Sequence, residues 1–580
     1  MDRSGRVNPV LAVLVALAIG LCTYLTFAGA LENEFISLDT ADYVVRNEHI
    51  RSFSAENVRW MFLEAHSSNW HPLTWMSHAL DYSWYGLAPR GHHLTSVLIH
   101  ALNAALACLL FLLIGLRIPS LRNRALLGAG ISALLYAVHP QRVESVAWVA
   151  ERKDVLCQLF SLVTLIFYLL AADKGRQRWT WLSASLLAFA LALLSKPMAV
   201  TLPVVMLILD VYPLGRIEVT PALRLRTGFR PVIPILAEKL PFFLLTAASI
   251  LLAIWAQGSE GSIVSLAAID FGTRVSNALV ALPFYFSKML APVNLSFFYE
   301  VPPIEALRGW AGALIAAAVL LGVSVHAIRA FGKGSRHWLV ALLYLLVAIS
   351  PVIGIIFVGR AGAADRYTYM PTMPYFAVIG FWIAGGLVGG SGGRRTLLRA
   401  GAAGATLLLA ATLSYLSFDR VKDWRSDFTI WKAAVEANPN SYESLIHLGL
   451  ARKKNGDIAG SIRDFERALL LESPEKQLAT VRKYQRSRIV SMYGVLFYEL
   501  ADSRSLANDL DGAIRDFRSI LENNIAVQHS RAMVFYRLAD LHLRKGEPAL
   551  AERALARTFQ LEPDFRDSLR LRRALSNRPR

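Results

Sequence analysis

Charge and cysteine are both scarce in this sequence. Charged residues make up 18% of its 580 positions, against roughly 25% in soluble globular chains, and 54% of the residues are hydrophobic. Cys22, Cys108 and Cys157 lie in or beside apolar runs. They lack metal-ligand spacing, so we interpret them as buried small hydrophobic residues. The net charge of +18 is not arranged as a basic stripe with interleaved aromatics, and we expect no nucleic-acid partner.

Long apolar runs predict an all-α, polytopic membrane domain at residues 1–420. A helix that spans a bilayer needs about 20 mostly apolar residues. About 11 runs qualify, at 8–30, 93–116, 124–139, 155–172, 179–195, 197–214, 238–256, 309–330, 337–358, 371–389 and 400–418. The first is too long for a signal-peptide core and is predicted to be a retained anchor. Residues 272–292 contain Pro283 and Lys288, so we predict a re-entrant or interfacial helix there.

Lysine and arginine are unevenly distributed among the predicted loops. They precede the first run, at Arg3 and Arg6, and recur in every second loop after it, which places those loops and the N-terminus in the cytoplasm. The outer loops are then 31–92, 139–154, 257–308 and 359–370. Because eleven spans end on the outer side, the C-terminal domain is also predicted to lie outside. The pattern predicts a multi-pass protein that contacts membrane lipid.

Residues 421–580 show a different periodicity, that of soluble amphipathic helices. A period of 34 residues, the length of a tetratricopeptide repeat, brings the expected packing positions into one frame. These positions are Leu445, Leu448, Gly449, Phe465, Ala468, Phe535, Leu538, Ala539 and Pro563. The pattern predicts an α-solenoid that binds a protein or peptide on its concave surface, and a packing spacer is the alternative.

Two segments place ionisable residues close to the outer membrane surface, where charge is costly and indicates function. Asp39 and Asp42 follow the first span, and a carboxylate there could accept a proton from an incoming hydroxyl. Aspartate is also common in helix caps and turns. In the second outer loop, Glu144 and Arg152 share one helical face, with Asp154 nearby. This cluster could bind a phosphate through Arg152 or Lys153 and a sugar through Glu144 or Trp148, or it could be a solvated loop of paired charges.

Two further segments contain histidine or arginine near the membrane. His71, His78, Asp81 and His92 belong to a stretch that is rich in histidine. Their spacing matches no metal-ligand signature, so we predict no metal site. Arg366 lies at an outer membrane edge among tyrosines, where it could bind a phosphate or belong to an aromatic belt.

Four segments, in this order, resemble a known family. They read NWHPLTWMSHALDYSWYGLAPRGHHLTSVLIHALNA, HPQRVESVAWVAERKDVL, LLSKPMAVTLPVVMLILDVYPL and ADRYTYMP. They are similar to the bacterial relatives of the transmembrane-and-tetratricopeptide-repeat (TMTC) proteins, which resemble protein O-mannosyltransferases of the GT-C superfamily. The resemblance covers nearly the whole chain. It implies a GT-C-like membrane domain in the inner membrane, followed by repeats in the periplasm.

The resemblance also implies an inverting glycosyltransferase. Such enzymes move a sugar, with mannose as one candidate, from a polyprenyl-phosphate carrier to an acceptor such as a protein hydroxyl. Family members often show an acidic pair after the first span, F-x-x-x-D-D, where this chain has Phe35, Asp39 and Thr40. Asp39 is therefore implied as the residue that acts as the base or orients the acceptor, with Asp42 as a substitute or second acid. Donor or acceptor contacts are implied for Glu144, Arg152, Asp154, Arg366, His71, Asp81 and Lys196.

The sequence contains no nucleotide-phosphate loop and no D-x-D motif on a soluble Rossmann-like domain, which favours a lipid-phosphate donor over a sugar nucleotide. Because arginine or lysine alone can stabilise a monophosphate leaving group, no metal or other cofactor is expected. Two other classes stay open. One is a non-catalytic membrane scaffold whose repeats recruit proteins. The other is a transporter, which discontinuous spans with charge also suit, although no duplicated halves are visible.

Overall fold

The computed structural model contains two compact units, Met1–Ser426 and Asp427–Arg580. It describes the chain except residues 1–6, 174, 221–224, 227–229, 260–262, 267–268, 301–306, 357–360, 389–392, 472–487, 524, 526, 528, 566–570 and 572–580. Arg3 and Arg6, on which the predicted orientation partly rests, therefore lie outside the described residues. The predicted domain boundary at 420 falls inside a helix that ends at Val421.

The first unit is a bundle of helices, which confirms the predicted all-α class. Its helices are α1 (Pro9–Phe27), α2 (Ala55–Leu63), α3 (Pro72–Tyr85), α4 (Pro89–Arg117), α5 (Ala125–Ala137), α6 (Val143–Ala147), α7 (Arg152–Asp173), α8 (Arg178–Ser195), α9 (Leu202–Val211), α10 (Ile233–Ala237), α11 (Leu240–Ser259), α12 (Phe271–Leu290), α13 (Leu307–Gly332), α14 (His337–Ile349), α15 (Met373–Val388) and α16 (Gly393–Val421). Two short strands, β1 (Tyr299–Glu300) and β2 (Ala361–Ala363), pair antiparallel.

Several described helical segments can cross a membrane. Seven are long and apolar enough: Pro9–Glu32, Pro89–Arg117, Val149–Asp173, Arg178–Ser195, Leu240–Ser259, Ala311–Gly332 and Thr396–Trp424. Three shorter apolar segments are Pro197–Val211, His337–Ile349 and Met373–Val388. The chain is thus a multi-pass membrane protein, whereas the number of about 11 spans and the orientation stay predictions. Helix α12, which contains Pro283, is not among the seven, and its interfacial role also stays a prediction.

Small residues allow the first span to pack closely. Helix α1 begins after Asn8, whose side chain accepts a hydrogen bond from the amide of Val10 at 2.9 Å. On its inner face lies Gly20, where an added Cβ would be 3.1 Å from the carbonyl oxygen of Ala101 in α4. Its outer face presents exposed leucines such as Leu17. Close backbone approach through small residues is the usual way that helices associate within a bilayer.

A buried ion network joins the end of α7 to α9 and α11. The Tyr168 hydroxyl donates to Asp210 at 2.7 Å, and Lys239 Nζ lies 2.7 Å from the other carboxylate oxygen of Asp210. Glu238 pairs with Lys239 at 2.9 Å and with Arg216 at 2.7 Å. Each buried charge of this network therefore has a partner, as charges inside a membrane protein require.

The second unit is also helical. Its described helices are α17 (Asp427–Ala437), α18 (Tyr442–Lys454), α19 (Ile458–Leu471), α20 (Arg488–Leu506), α21 (Leu510–Glu522), α22 (Arg531–Arg544) and α23 (Pro548–Leu561). Consecutive helices pack against each other, and the strongest pairings are α18 with α19, α20 with α21 and α22 with α23. This arrangement agrees with a helical-repeat region, while the tetratricopeptide class of the repeat stays a prediction.

Most of the predicted repeat positions lie in the core of this unit. Leu445, Leu448, Phe465, Ala468, Leu538 and Ala539 are buried. Phe535 is half-buried and Pro563 is exposed. The 34-residue frame therefore locates the inward faces of the paired helices well, whereas it does not bury every position that it marks.

Gly449 provides a test of this packing. A Cβ built there would lie 2.5 Å from Cε1 of Phe465, so Gly449→Ala should overpack the contact between α18 and α19. Overpacking costs about 1–3 kcal/mol. In hydrogen–deuterium exchange of the full chain, protection of α18 and α19 should therefore fall by roughly 5- to 150-fold. Leu470→Ala, at a residue that is 86% exposed, is the control. Equal protection in the two variants would contradict the packing.

Candidate active site

The segment between α5 and α7 brings polar residues into the interior. The amide of Gln141 donates to Nδ1 of His139 at 3.3 Å, which caps a tight turn at Pro140–Arg142. Helix α6 and a second turn, Val149–Glu151, follow. All residues from 139 to 158 are buried. The sequence left open a solvated loop here, and the structure instead packs the segment inside the protein.

Glu144 and Arg366 join the segment between α5 and α7 to the segment that precedes α15. The backbone amide of Arg366 donates to Glu144 Oε2 at 3.0 Å, and its guanidinium donates to the other carboxylate oxygen. The same guanidinium lies 3.6 Å from Oε1 of Glu151 and 5.6 Å above the ring of Trp148. The two predicted residues therefore meet directly, although 222 positions separate them in the sequence.

Glu151 is the centre of a cluster of opposite charges. Besides Arg366, it pairs with Lys153 at 3.1 Å and with Lys196 at 3.1 Å. Lys196 also pairs with Asp154 at 2.6 Å. We name this set the charged network. Its members are Glu144, Glu151, Lys153, Asp154, Lys196 and Arg366.

The sequence predicts Glu144, Asp154, Lys196 and Arg366 as site residues and offers Lys153 as an alternative phosphate contact, but it does not single out Glu151. Glu151 stands in the same E-R-K-D run as Arg152 and Asp154, so the run itself was the available signal. The sequence could not show which of these four neighbours faces which partner, because that depends on the turn that precedes α7.

Asp39 lies at the exposed edge of the charged network. Its carboxylate is exposed, and its charge acts on Lys153 and on Tyr43. Lys153 Nζ is 3.4 Å from the Tyr43 hydroxyl and 4.6 Å from the centre of its ring. Burial raises the pKa of Tyr43 to about 12, so its hydroxyl keeps its proton. Asp39 is the acid of this edge that solvent can reach.

Thr40 and Asp42 occupy different surroundings. The indole Nε1–H of Trp148 donates to the buried hydroxyl of Thr40 at 3.1 Å. The side chain of Asp42 is half-exposed and pairs with Arg46 one turn away. Thr40 stands at the position where the resemblance implies a second acid, and there its hydroxyl accepts a hydrogen bond from Trp148. The carboxylate of Asp42 does not occupy that position.

Arg152 faces away from the charged network. Its guanidinium lies 2.7 Å from Asp81, and its N–H groups donate to Ser96 at 2.9 Å and to Ser77 at 3.0 Å. A further N–H donates to the carbonyl of His92. Because the side chain is fully buried and so many of its donors are occupied, Arg152 ties α7 to α3 and α4.

Three buried residues of the histidine-rich stretch come together beside Arg152. Ligand atoms of His78, Asp81 and His92 lie within 4.8 Å of one another. A set of two histidines and one carboxylate is chemically able to hold a zinc-like ion. Here the Arg152 guanidinium already places a positive charge next to Asp81, and burial, followed by the charge of Arg152, lowers the pKa of His78 well below its ordinary range.

His71 lies on the other side of this stretch, close to the charged network. It is buried, and burial lowers its pKa well below the ordinary value, helped by the charges of Lys153 and Lys196. His71 is therefore neutral at physiological pH. A neutral imidazole can donate or accept a hydrogen bond here without adding another charge to the charged network.

Asp365 extends the site towards β1. The Tyr299 hydroxyl donates to its carboxyl group at 3.3 Å. Burial, together with the negative charge of Glu144, raises the pKa of Asp365 to about 8. The group is thus largely protonated at neutral pH, beside the ionised Arg366.

Fold and site together define a multi-pass membrane protein with a buried cluster of ion pairs and one exposed carboxylate at its edge. The chain matches the family model of dolichyl-phosphate-mannose-protein mannosyltransferases over residues 90–223. This region contains α4 to α9, and with them Glu144, Glu151 and Lys196, but it does not include Asp39 or Arg366.

The chain is also similar to curated proteins. Protein O-mannosyl-transferase TMTC4 of Mus musculus is 22% identical over 77% of this chain and 65% of its own length. TMTC4 of Homo sapiens is 23% identical over the same shares, and TMTC3 of Homo sapiens is 24% identical over 70% of this chain and 44% of its own length. The chain thus spans less than two thirds of the relatives that it matches. The resemblance to the TMTC proteins is confirmed.

The contact of Asp81 with Arg152 can be tested through stability. Asp81→Asn leaves the buried guanidinium without its counter-ion and should cost about 3–5 kcal/mol, as breaking a buried pair does. Asp173→Asn removes the half-exposed partner of Arg117 and should cost at most about 1 kcal/mol. Unfolding of the two variants in detergent measures the difference. Equal losses would show that Arg152 does not need Asp81.

Asp365 should make stability depend on pH. The folded chain holds the proton more tightly than the unfolded chain, so this contribution is complete below the ordinary pKa of 3.8 and is lost as the pH rises towards about 8. Asp365→Asn should flatten the decline of the unfolding temperature over that range. Asp419→Asn, at an exposed position, should leave the decline unchanged. An identical slope in Asp365→Asn and the parent chain would refute the raised pKa.

Proposed function

We propose that this chain is an inverting glycosyltransferase that moves a sugar from a polyprenyl-phosphate carrier to a hydroxyl acceptor at the outer membrane face. One observation carries the proposal. Residues from the first, second and last outer segments, together with Lys196, converge on the charged network, and Asp39 lies at its exposed edge. The similarity to proteins named protein O-mannosyl-transferases supports the same reaction class and favours mannose among the candidate sugars.

Asp39 is the proposed general base. A base must reach the acceptor from solvent, and the exposed Asp39 meets this condition. Its charge acts on Lys153, so Asp39 lies beside the charged network. Asp42 is a weaker candidate, because its carboxylate pairs with Arg46.

Lys196 and Arg366 are the proposed partners of the donor phosphate. Their side chains are 13% and 15% exposed, so each combines a fixed position with access to a bound anion. Their carboxylate partners hold them in place before the substrate arrives, which is how electrostatic stabilisation of a leaving group becomes effective. Arg152 is less suited to this role than its sequence position suggested, because its guanidinium is buried among other partners.

The proposed reaction is a single displacement. The acceptor oxygen attacks the anomeric carbon while its proton passes to Asp39. The bond between the anomeric carbon and the phosphate oxygen breaks, and its electron pair leaves with the polyprenyl phosphate. The new negative charge develops beside Lys196 and Arg366. In this scheme the protein's own cations stabilise the leaving group, and we propose that no metal is required.

The helical-repeat unit is proposed to select a protein acceptor. Stacked repeats commonly bind extended peptides along a continuous surface, and most residues that fit the repeat frame are buried in the core of this unit. We propose that the membrane unit supplies the lipid-linked sugar and the repeat unit supplies the protein. The proposed location is the inner membrane, with the repeats on the periplasmic side.

A non-catalytic scaffold is the second candidate. The carboxylates of the charged network are paired with its cations, as they would be in a purely structural cluster, and Thr40 stands where relatives often have an acid. The repeats would then recruit partners without sugar transfer. The scaffold and the transferase differ in a single measurable property, namely transfer from a labelled carrier.

Replacement of Asp39 provides that measurement. The full chain, reconstituted in membranes with labelled polyprenyl-phosphate sugars, should transfer sugar to a hydroxyl acceptor. Asp39→Asn should lower kcat by about 10²- to 10⁴-fold, the usual contribution of a general base.

Asp42→Asn is the matched control, since it makes the same chemical change three residues away and should keep most of the activity. Equal transfer by the parent chain and Asp39→Asn would remove Asp39 from the mechanism. No transfer with any carrier would favour the scaffold.

A further inference from the structure

Two apolar cavities lie at the end of the membrane unit opposite the charged network. The first, of about 590 Å³, is lined by α1, α5 and α16, with Leu11, Ile131 and Leu407 among its residues. We name it cavity A. Its lining along α1 continues from Val7, two residues before that helix begins, to Cys22.

The second cavity, of about 500 Å³, lies on the other side of α5 and α15. It is lined by α4, α9, α14 and α15, with Phe111, Tyr344 and Phe381 among its residues. We name it cavity B. Along α4, Phe111 is fifteen residues beyond Ser96, which bonds to Arg152, and this corresponds to about 22 Å of helix. Both volumes fall within the range of about 300–1,000 Å³ that is typical of ligand sites.

Among the residues that the structure describes, only Arg124 lines both cavities. It immediately precedes the first turn of α5, and its guanidinium lies against Gly385 of α15, where any Cβ would overlap with it. The Nε of Arg124 is buried without a hydrogen-bond partner. Among the described residues, no acid pairs with this side chain. A cation that has no acidic partner among the described residues and lies between two apolar cavities is complementary to an anion that carries apolar chains.

We propose that Arg124 binds the phosphate of an anionic phospholipid whose two acyl chains occupy cavities A and B. The absence of a side chain at Gly385 leaves room for the guanidinium at the junction of the cavities. The first turn of α5 adds the positive end of the helix dipole on the same side. Arg122, which also lines cavity A and is exposed, adds a second positive charge near the head group.

The chains themselves contribute little selectivity. Bilayer interior and protein cavity are similarly apolar, so transfer of an acyl chain between them is nearly neutral. The head group must therefore decide which lipid binds, and a basic residue near a membrane surface favours an anionic lipid by roughly fivefold. The proposed site should thus distinguish phosphatidylglycerol from phosphatidylcholine with the same chains.

The test uses the full chain in detergent, incubated with vesicles of phosphatidylcholine that contain phosphatidylglycerol of matched chains. Native mass spectrometry counts the lipids that stay bound. We expect preferential retention of phosphatidylglycerol, and we expect Arg124→Gln to lower it roughly fivefold. Arg124→Lys, which keeps the charge, should retain most of the binding.

Arg176→Gln is the matched control. Arg176 is exposed and lies three residues after Asp173, which pairs with Arg117 at the same end of the bundle. The Arg176→Gln variant should leave lipid retention unchanged. Equal loss in Arg124→Gln and Arg176→Gln, or equal retention of the two lipids, would overturn the proposal, as would displacement of phosphatidylglycerol by polyprenyl phosphate. The readout is binding, so its failure leaves the proposed transferase activity untouched.

Discussion

The membrane unit depends on the placement of one buried carboxylate, Glu151, among three cations. Arg366, Lys153 and Lys196 all lie within 3.6 Å of its two oxygens. Taking an isolated charge out of water costs several kcal/mol even after relaxation, so none of the four could be buried alone. Their mutual pairing therefore fixes the start of α7 relative to the segments that precede α9 and α15. The ion pairs that offset the free-energy cost of burying these charges also fix the geometry of the site.

The same ion pairs serve both the stability of the membrane unit and its proposed chemistry. Cations that are held by carboxylates cannot relax towards a bound anion, so their field is present before any charge develops on a leaving group. The exposed edge differs from the interior, because Asp39 is accessible to solvent while Glu144 and Glu151 are buried behind it. The acid proposed for proton transfer is thus the exposed one, and the buried acids hold the cations in position. Burial therefore distinguishes the proposed base, which is exposed, from the buried acids that hold the cations.

The sequence predicts the architecture well and the site only in part. Apolar runs and a 34-residue period are local signals, and they are sufficient for the all-α membrane unit and for core positions such as Leu445 and Phe465. Site contacts are not local, since Glu144 meets Arg366 across 222 positions. Helical spacing also groups Arg152 with Glu144, but a turn at Val149–Glu151 interrupts the helix between them and directs Arg152 towards Asp81. His78, Asp81 and His92 show no metal signature in the sequence. They converge because α3 and α4 pack against each other, which is again a contact of the fold and not of local spacing.

The surroundings of Thr40 explain why a hydroxyl suits this position, where the resemblance implies an acid. An acid at this position would be buried beside Trp148 and near Arg366, whose guanidinium lies 5.6 Å above the same indole. It would therefore add a fourth buried carboxylate to a cluster whose three acids and three cations already balance. A hydroxyl accepts the indole hydrogen bond at 3.1 Å without changing that charge balance. The substitution thus preserves the shape of the site and leaves Asp39 as the carboxylate that faces solvent there, which is the arrangement that a single general base requires.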